Sequence, residues 1–125
     1  MGDVRGKSVA ILGAGPVGLL TFLFLRYCGA TVAYMTEPIE SRREFAQFLG
    51  MPTVLQPDDF QSIAEQEREL DGVGPEFVVE AAGEPASYSQ AMQFVRRGGT
   101  VIYCGIYPYG AMSVDFTPAR RKELR

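Results

Sequence analysis

The residues best equipped for chemistry in this sequence are six near its start, Gly13-Ala14-Gly15-Pro16-Val17-Gly18, and one acid further on, Glu37. The six satisfy G-x-G-x-x-G; they follow a short apolar run, Ser8 to Leu12, and open an apolar helical stretch. In that setting each glycine has its own task. Gly13 permits a tight turn, Gly15 lets the backbone come close to a pyrophosphate, and Gly18 lets the helix lie against the strand. The helix N-terminus adds unpaired amides and the positive end of a dipole. Pro16 has no amide to give, so that donation is expected to fall to Val17. Glu37 ends the second apolar run, about 20 residues on, where a carboxylate can accept hydrogen bonds from ribose hydroxyls and repel a 2′-phosphate. The pair predicts a site for NAD in preference to NADP. Arg42 and Arg43 can approach the same ribose edge, or be solvated residues paired with Glu37 or Glu40. The plain structural alternative is a tight strand–helix turn with no ligand.

What the chain lacks narrows the chemistry further. It contains no histidine, the commonest general base near neutral pH and the commonest metal ligand. Its two cysteines, Cys28 and Cys104, are far apart and form no CxxC pair, so the usual zinc site cannot be built. No catalytic residue and no metal ligand is therefore expected here. The net charge is −3, which advertises no basic face to nucleic acid or anionic membrane. The longest apolar stretch, Val17 to Leu25, is broken by Thr21 and falls short of the roughly 20 residues a membrane span needs. With no signal-peptide pattern, the thiols read as reduced and the protein as cytoplasmic.

The elements that must position the glycine turn follow from alternating apolar runs and helical patterns. Residues 1–125 read as one domain, a length able to bury its own core. Ser8 to Leu12 is a strand buried on both faces, and Pro16 to Tyr27 a helix apolar almost all round, expected to pack deep against a sheet. Thr31 to Met35 is a second strand. Ile39 to Leu49 is a helix with Ile39, Phe45, Ala46 and Leu49 on its inner face, stopped by Gly50. Thr53 to Gln56 is a third strand. Asp58 and Asp59 open a polar helix running to about Leu70, and Asp71 to Pro75 is a turn-rich break. Glu76 to Ala81 holds a fourth strand, centred on Phe77 to Glu80. Pro85 opens a helix ending at Arg96, Arg97 and Gly98; Thr100 to Ile106 is a fifth strand, and Tyr107 to Gly110 a loop. The tail, Pro118 to Arg125, is basic and reads as too short for a full element. Such alternation predicts an α/β fold, a doubly wound parallel sheet of about five strands in the order 3-2-1-4-5 in three α/β/α layers. The cleft should lie between strands one and four.

The opening unit is similar to that of flavin-dependent monooxygenases, whose first βαβ also reads GAGPVGL and ends in an acid. The stretch GATVAYMTEPIESRREFAQFLG, from Gly29, and FVVEAAGEPASYSQAMQFVRRGGTVIYCG, from Phe77, point elsewhere. Together they resemble the cofactor (Rossmann) domain of the medium-chain dehydrogenase/reductases, the zinc-dependent alcohol and polyol dehydrogenase group. The closing VDFTPARRKELR resembles the family just before its sixth strand. The resemblance implies that Gly13 to Gly18 form the pyrophosphate turn, that Glu37 is the ribose acid and that Arg42 lies beside that ribose. It places Ala81 and Ala82 on the adenosine side of the cleft. The backbone of Cys104, Gly105 and Ile106 would approach the nicotinamide carboxamide. For the Cys104 side chain, the reading from residue type is a small buried group on a central strand.

The resemblance implies zinc ligands and a proton relay in a separate domain before and after this region, and a sixth strand beyond it; none of these is expected within the residues given. The chain thus reads as the NAD-binding part of a larger oxidoreductase, inactive alone. The edge of the fifth strand, Thr100 to Ile106, would be left open to pairing with a second copy. Two readings from other classes stay open: a stand-alone NAD-sensing regulatory module, which an appended effector domain would reveal, and a methyltransferase or flavoprotein nucleotide domain. Titration with NADH and S-adenosylmethionine separates the methyltransferase. Tyr107 and Tyr109 read as loop aromatics, and the substrate is not encoded in these residues.

Overall fold

The computed structural model describes residues 2–70 and 73–125. Five strands and five helices alternate: β1 (Ser8–Leu12), α1 (Pro16–Tyr27), β2 (Thr31–Thr36), α2 (Glu40–Phe48), β3 (Val54–Leu55), α3 (Phe60–Glu69), β4 (Phe77–Glu80), α4 (Pro85–Phe94), β5 (Thr100–Tyr103) and α5 (Thr117–Lys122). The strands form one parallel sheet in the order β3-β2-β1-β4-β5, as the alternation predicts. Leu12, the last residue of β1, stands beside Thr36 on one side and Glu80 on the other, so the exits of β1, β2 and β4 lie level.

Side-chain alternation along the central strands sorts the core into two layers. Val9 and Ile11 of β1, Met35 of β2 and Val79 of β4 pack with Phe22 and Leu25 of α1 and Ala46 of α2. Ala10 and Leu12, Tyr34 and Val78 face the other way, against Ile63 of α3 and Ala91 and Phe94 of α4. A strand covered on both faces must be apolar at every position, which is why β1 reads as an unbroken hydrophobic run.

Several boundaries differ from the sequence reading. The second strand runs one residue further, to Thr36, and the third shrinks to Val54–Leu55. Ile39 and Leu49 cap α2 instead of lining it; only Ala46 of that helix is fully buried, and Phe45 is half exposed. The first helix is not packed deep all round: Gly18, Phe22 and Leu25 are buried, whereas Val17, Leu20, Phe24 and Tyr27 form an exposed apolar stripe. An outer helix has only one face to give to a single sheet, so the remaining apolar residues stay outside. Asp59 caps α3 by accepting from the Ser62 amide at 3.2 Å. Of the turn-rich break after it, Asp71 and Gly72 lie outside the described residues.

The fourth helix ends at Phe94, short of Arg96, Arg97 and Gly98. Val95 is extended, and the Arg96 amide turns to the Pro75 carbonyl at 3.0 Å. Lys122 Nζ caps the helix end by donating to the Gln93 and Val95 carbonyls. The fifth strand stops at Tyr103, because the Cys104 and Gly105 amides both turn back to the Glu80 carbonyl, at 2.8 and 3.0 Å. The basic tail does form an element: α5 is a short helix, after which the chain returns to the sheet. The Arg125 amide donates to the Gly99 carbonyl at 2.9 Å, and the Val101 amide donates to the Arg125 carbonyl at 2.8 Å, a parallel pairing beside Thr100. The first half of the β5 edge is therefore occupied.

Candidate functional site: a dinucleotide cleft

The level exits of β1, β2 and β4 form one rim, and the residues singled out from sequence gather there. The Gly13 amide donates to the Thr36 carbonyl and the Ala81 amide to the Leu12 carbonyl, each at 2.8 Å, so the turn hangs between both neighbouring strands. Gly13 has φ +110°, and a Cβ on it would sit 3.0 Å from the Ala81 and Ala82 backbone. At Gly18 a Cβ would run into the Gly13 carbonyl oxygen. Gly15 differs: a Cβ there would meet nothing nearer than Arg42 Nη1 at 3.9 Å. Two glycines are thus required by the protein's own packing, while the third keeps space clear. Gly15 is the N-cap of α1 and supplies no side-chain acceptor, and Pro16 takes the first helical position. The first-turn amides beyond it, Val17's included, border that open space, the arrangement that suits a phosphate.

Glu37 stands just past β2, nearly buried. Its Oε1 accepts from the Ala14 amide at 3.0 Å and its Oε2 from the Ile39 amide at 3.1 Å. The carboxylate thereby ties the glycine turn to the β2 exit. Arg42 Nη1 lies 3.9 Å from Glu37 Oε1 with its side chain half exposed, between the acid and the Gly15 opening. Arg43 is engaged by backbone, donating to the Glu37 and Pro38 carbonyls at 2.9 and 2.8 Å.

A cleft of about 170 Å³ runs between the two flanks of the rim, lined by Leu12, Gly13, Thr36 and Pro38 on one side and Ala82, Ser87 and Gln90 on the other. The Gln90 amide nitrogen donates to the Pro57 carbonyl at 3.1 Å and closes its far end. Ala82 lines the cleft and Ala81 supports it through the β1 bond just described.

One functional feature was not singled out from sequence: the Glu80 side chain. It is fully buried at the end of β4. Its Oε1 accepts three hydrogen bonds, from the Ala82 amide at 2.8 Å, the Gly83 amide at 2.7 Å and the Ser87 hydroxyl at 2.6 Å. Its Oε2 is buried and has no hydrogen-bond partner among the described residues. Gly105 and Gly83 close over it: a Cβ on Gly105 would strike Glu80 Oε2 and the Gly83 amide, and one on Gly83 would strike the Ile106 backbone. Only the spacing of an acid at the tip of a buried strand could have signalled it.

Cys104 and Ile106 follow β5, both exposed, at the mouth of the rim. The sequence reading of Cys104 as a buried residue on a central strand is corrected: β5 is the outermost strand of the order, and the chain has left it by Cys104. Cys28 caps the far end of α1, so the two thiols lie at opposite ends of the sheet. With no histidine in the chain, this donor set does not fit a zinc ion. Among the described residues no helix is long and apolar enough to cross a membrane.

A glycine turn between sheet and helix, an acid at the next strand and a cleft at the point where strand order reverses define a Rossmann-type dinucleotide-binding domain. The comparisons with known proteins then place it. Residues 16–125 match the family model for zinc-binding dehydrogenases, and the chain belongs to that family. It is 36% identical over 118 residues to L-threonine 3-dehydrogenase of Caldanaerobacter subterraneus, covering 93% of this chain and 33% of that protein. Among solved structures, alcohol dehydrogenase TADH from Thermus sp. ATN1 superposes with a TM-score of 0.82 at 31% identity, covering 96% of this chain and 35% of the other. A zinc-binding dehydrogenase from Sinorhizobium meliloti, solved with NADP, gives a TM-score of 0.81 at 29% identity, covering 99% and 37%. The chain spans about a third of the length of the curated relatives it matches. These matches favour the dehydrogenase over the sensing-module, methyltransferase and flavoprotein alternatives.

Proposed function

We propose that this chain is the NAD-binding domain of an alcohol or polyol dehydrogenase, holding the dinucleotide while hydride passes between a hydroxyl or carbonyl substrate and the nicotinamide. The observation that carries the reading is the open space at Gly15 beside a fixed Glu37 carboxylate. The cradle fits a pyrophosphate because two of its three glycines are demanded by packing and the third by nothing in the protein itself. NAD supplies the hydride-accepting ring when bound; what the chain supplies is binding and orientation.

Glu37 favours NAD over NADP, since a carboxylate held by two amides cannot swing away from a 2′-phosphate. Arg42 tempers this preference without cancelling it, being exposed and 3.9 Å off. The backbone from Cys104 to Ile106 would border the nicotinamide half. The chain contains no histidine, and among the described residues no cluster of metal-ligating side chains is placed to hold an ion, so we assign alcohol turnover to parts outside these residues. Free thiols fit a reducing cytoplasmic setting. Among the described residues the β5 edge at Ile102 and Tyr103 carries no paired strand, and we propose that it pairs with a second copy of the chain as given; concentration-dependent sedimentation is the expected result, and a strictly monomeric profile counts against it.

The deciding experiment is titration of the purified chain with NADH, NADPH and S-adenosylmethionine, followed by nicotinamide fluorescence and calorimetry. Binding of NADH tighter than NADPH, with none of the methyl donor, is expected. Equal or stronger binding of NADPH would overturn the cofactor preference, and binding of the methyl donor alone would overturn the reading.

A further inference from the structure

The Glu80 carboxylate is out of proportion to a structural task. Holding the β4–α4 loop needs one acceptor oxygen, and Oε1 does that alone, taking all three donors. The second oxygen is sealed under Gly105 with no hydrogen-bond partner among the described residues. Two amides of the β4–α4 loop and the Ser87 hydroxyl of α4 converge on that one oxygen. The carboxylate is thus fixed and buried, and its hydrogen-bond donors all lie on one side. On the other side, toward β5, its field is felt: the Tyr103 phenol is held above its usual range, by burial first and then by the Glu80 charge and Tyr88.

That uncompensated side is where the second half of a dinucleotide falls. With the pyrophosphate at Gly15 and the first ribose at Glu37 on the β2 flank, the remaining nucleotide extends over the exits of β4 and β5. A nicotinamide ring carries a positive charge when oxidised and none when reduced. Resting on the dinucleotide reading above, we propose that Glu80 acts as a redox-state selectivity residue, its buried carboxylate favouring oxidised over reduced nicotinamide in this cleft. It works through space and touches no reacting atom.

The test is the ratio of two affinities, which a merely structural role would leave alone. The purified chain and its Glu80→Gln variant are titrated with NAD+ and NADH, with ADP-ribose as the ring-free reference. Gln keeps the acceptor and the volume but removes the charge. The ratio of Kd for NAD+ to Kd for NADH is expected to rise roughly three- to tenfold, the scale of one charge acting through a partly hydrated site without contact. Loosening of the loop would weaken all three ligands alike and leave the ratio where it was, and that outcome overturns the inference. Should the variant fail to fold by circular dichroism, Ser87→Ala reads the same quantity in the opposite sense. It keeps the charge and takes away one neutralising donor, so the ratio moves toward NAD+; no movement overturns the inference equally. If none of the three ligands binds the parent chain, the dinucleotide reading falls and takes this one with it. If all bind and the ratio stays fixed in the variants, only the role of Glu80 is lost.

Discussion

Glu37 and Glu80 close the two flanks of the same rim, and they are used differently. Each stands at the exit of a strand next to β1, each is buried, and each accepts backbone amides from the loop it faces. Glu37 spends both oxygens, one on the glycine turn and one on its own loop, with Arg42 near the first. Glu80 concentrates three donors on one oxygen and leaves the other bare. The β2 flank therefore offers a charge that is fixed, partly balanced and set beside the cradle. The β4 flank offers a charge hidden under Gly105, able to act only through its field. A doubly wound sheet puts both acids at the strand exits, and the loops decide which of them a ligand can touch.

The largest test of this arrangement breaks the two flanks separately. Gly18→Ala drives a methyl into the Gly13 carbonyl, and Gly105→Ala drives one into Glu80 and the Gly83 amide. Backbone on one side and a buried carboxylate on the other leave no room to give. Each substitution is expected to cost about 3 kcal/mol or more in denaturant unfolding. Gly15→Ala, with open space around its Cβ, should unfold like the parent and lose dinucleotide affinity instead. A Gly15→Ala variant that lost stability as heavily as Gly18→Ala would show that the third glycine is structural too.

A smaller effect sharpens the contrast between the acids. Glu37→Gln removes the charge that repels a 2′-phosphate while keeping an acceptor for the Ala14 amide. NADH affinity is expected to fall about tenfold, the worth of a charge-assisted hydrogen bond, and NADPH affinity to rise, since Arg42 is then freed from its partner. Fluorescence titration of both cofactors checks this. A variant with both affinities unchanged would mean that Glu37 serves only to tie the turn.

How much of this was legible beforehand follows from what each feature depends on. The glycine turn, Glu37 and the strand order could be read because their determinants are local: a spacing, an apolar run, an acid at a run's end. The stop of β5 at Tyr103 could not, because it depends on the Glu80 carbonyl, which draws in two amides from the segment that follows β5. The role of Lys122 as a cap on α4 joins residues 27 and 29 positions apart, and nothing in a basic tail announces it. The exposed stripe of α1 misled for a related reason. Its residue types match a buried helix, and only the layer order shows that one face has nothing to pack against in this chain. Glu80 itself was visible as an acid in an apolar run, but an acid at a strand tip says nothing about which of its oxygens is bonded.

The smallest expected effect comes from the other end of β4, where a third acid shows what a balanced carboxylate does. Glu76 accepts from the Ser8 amide at 3.1 Å and pairs with Arg96 at 3.1 Å and Lys7 at 3.4 Å, fastening β4 to β1 at the rim opposite the cleft. Burial pushes its carboxyl upward, but the Ser8 hydrogen bond, the Lys7 hydrogen bond and the Arg96 and Lys7 charges outweigh that and hold it below the ordinary value of 4.5. A carboxyl whose folded value is lowered contributes stability that is fully present above the ordinary value and drains away as pH falls through the lowered one. Thermal melts between about pH 6 and pH 3 should therefore show Tm falling on the acid side, with Glu76→Gln flattening part of that limb and lowering Tm slightly at neutral pH. An acid limb identical in parent and variant would mean that the pairs around Glu76 contribute nothing to stability. Because Glu76 lies at the rim away from the cleft, its loss should leave the ratio of NAD+ to NADH affinity where it stood. That separates a charge that holds strands together from one placed where a ligand can feel it.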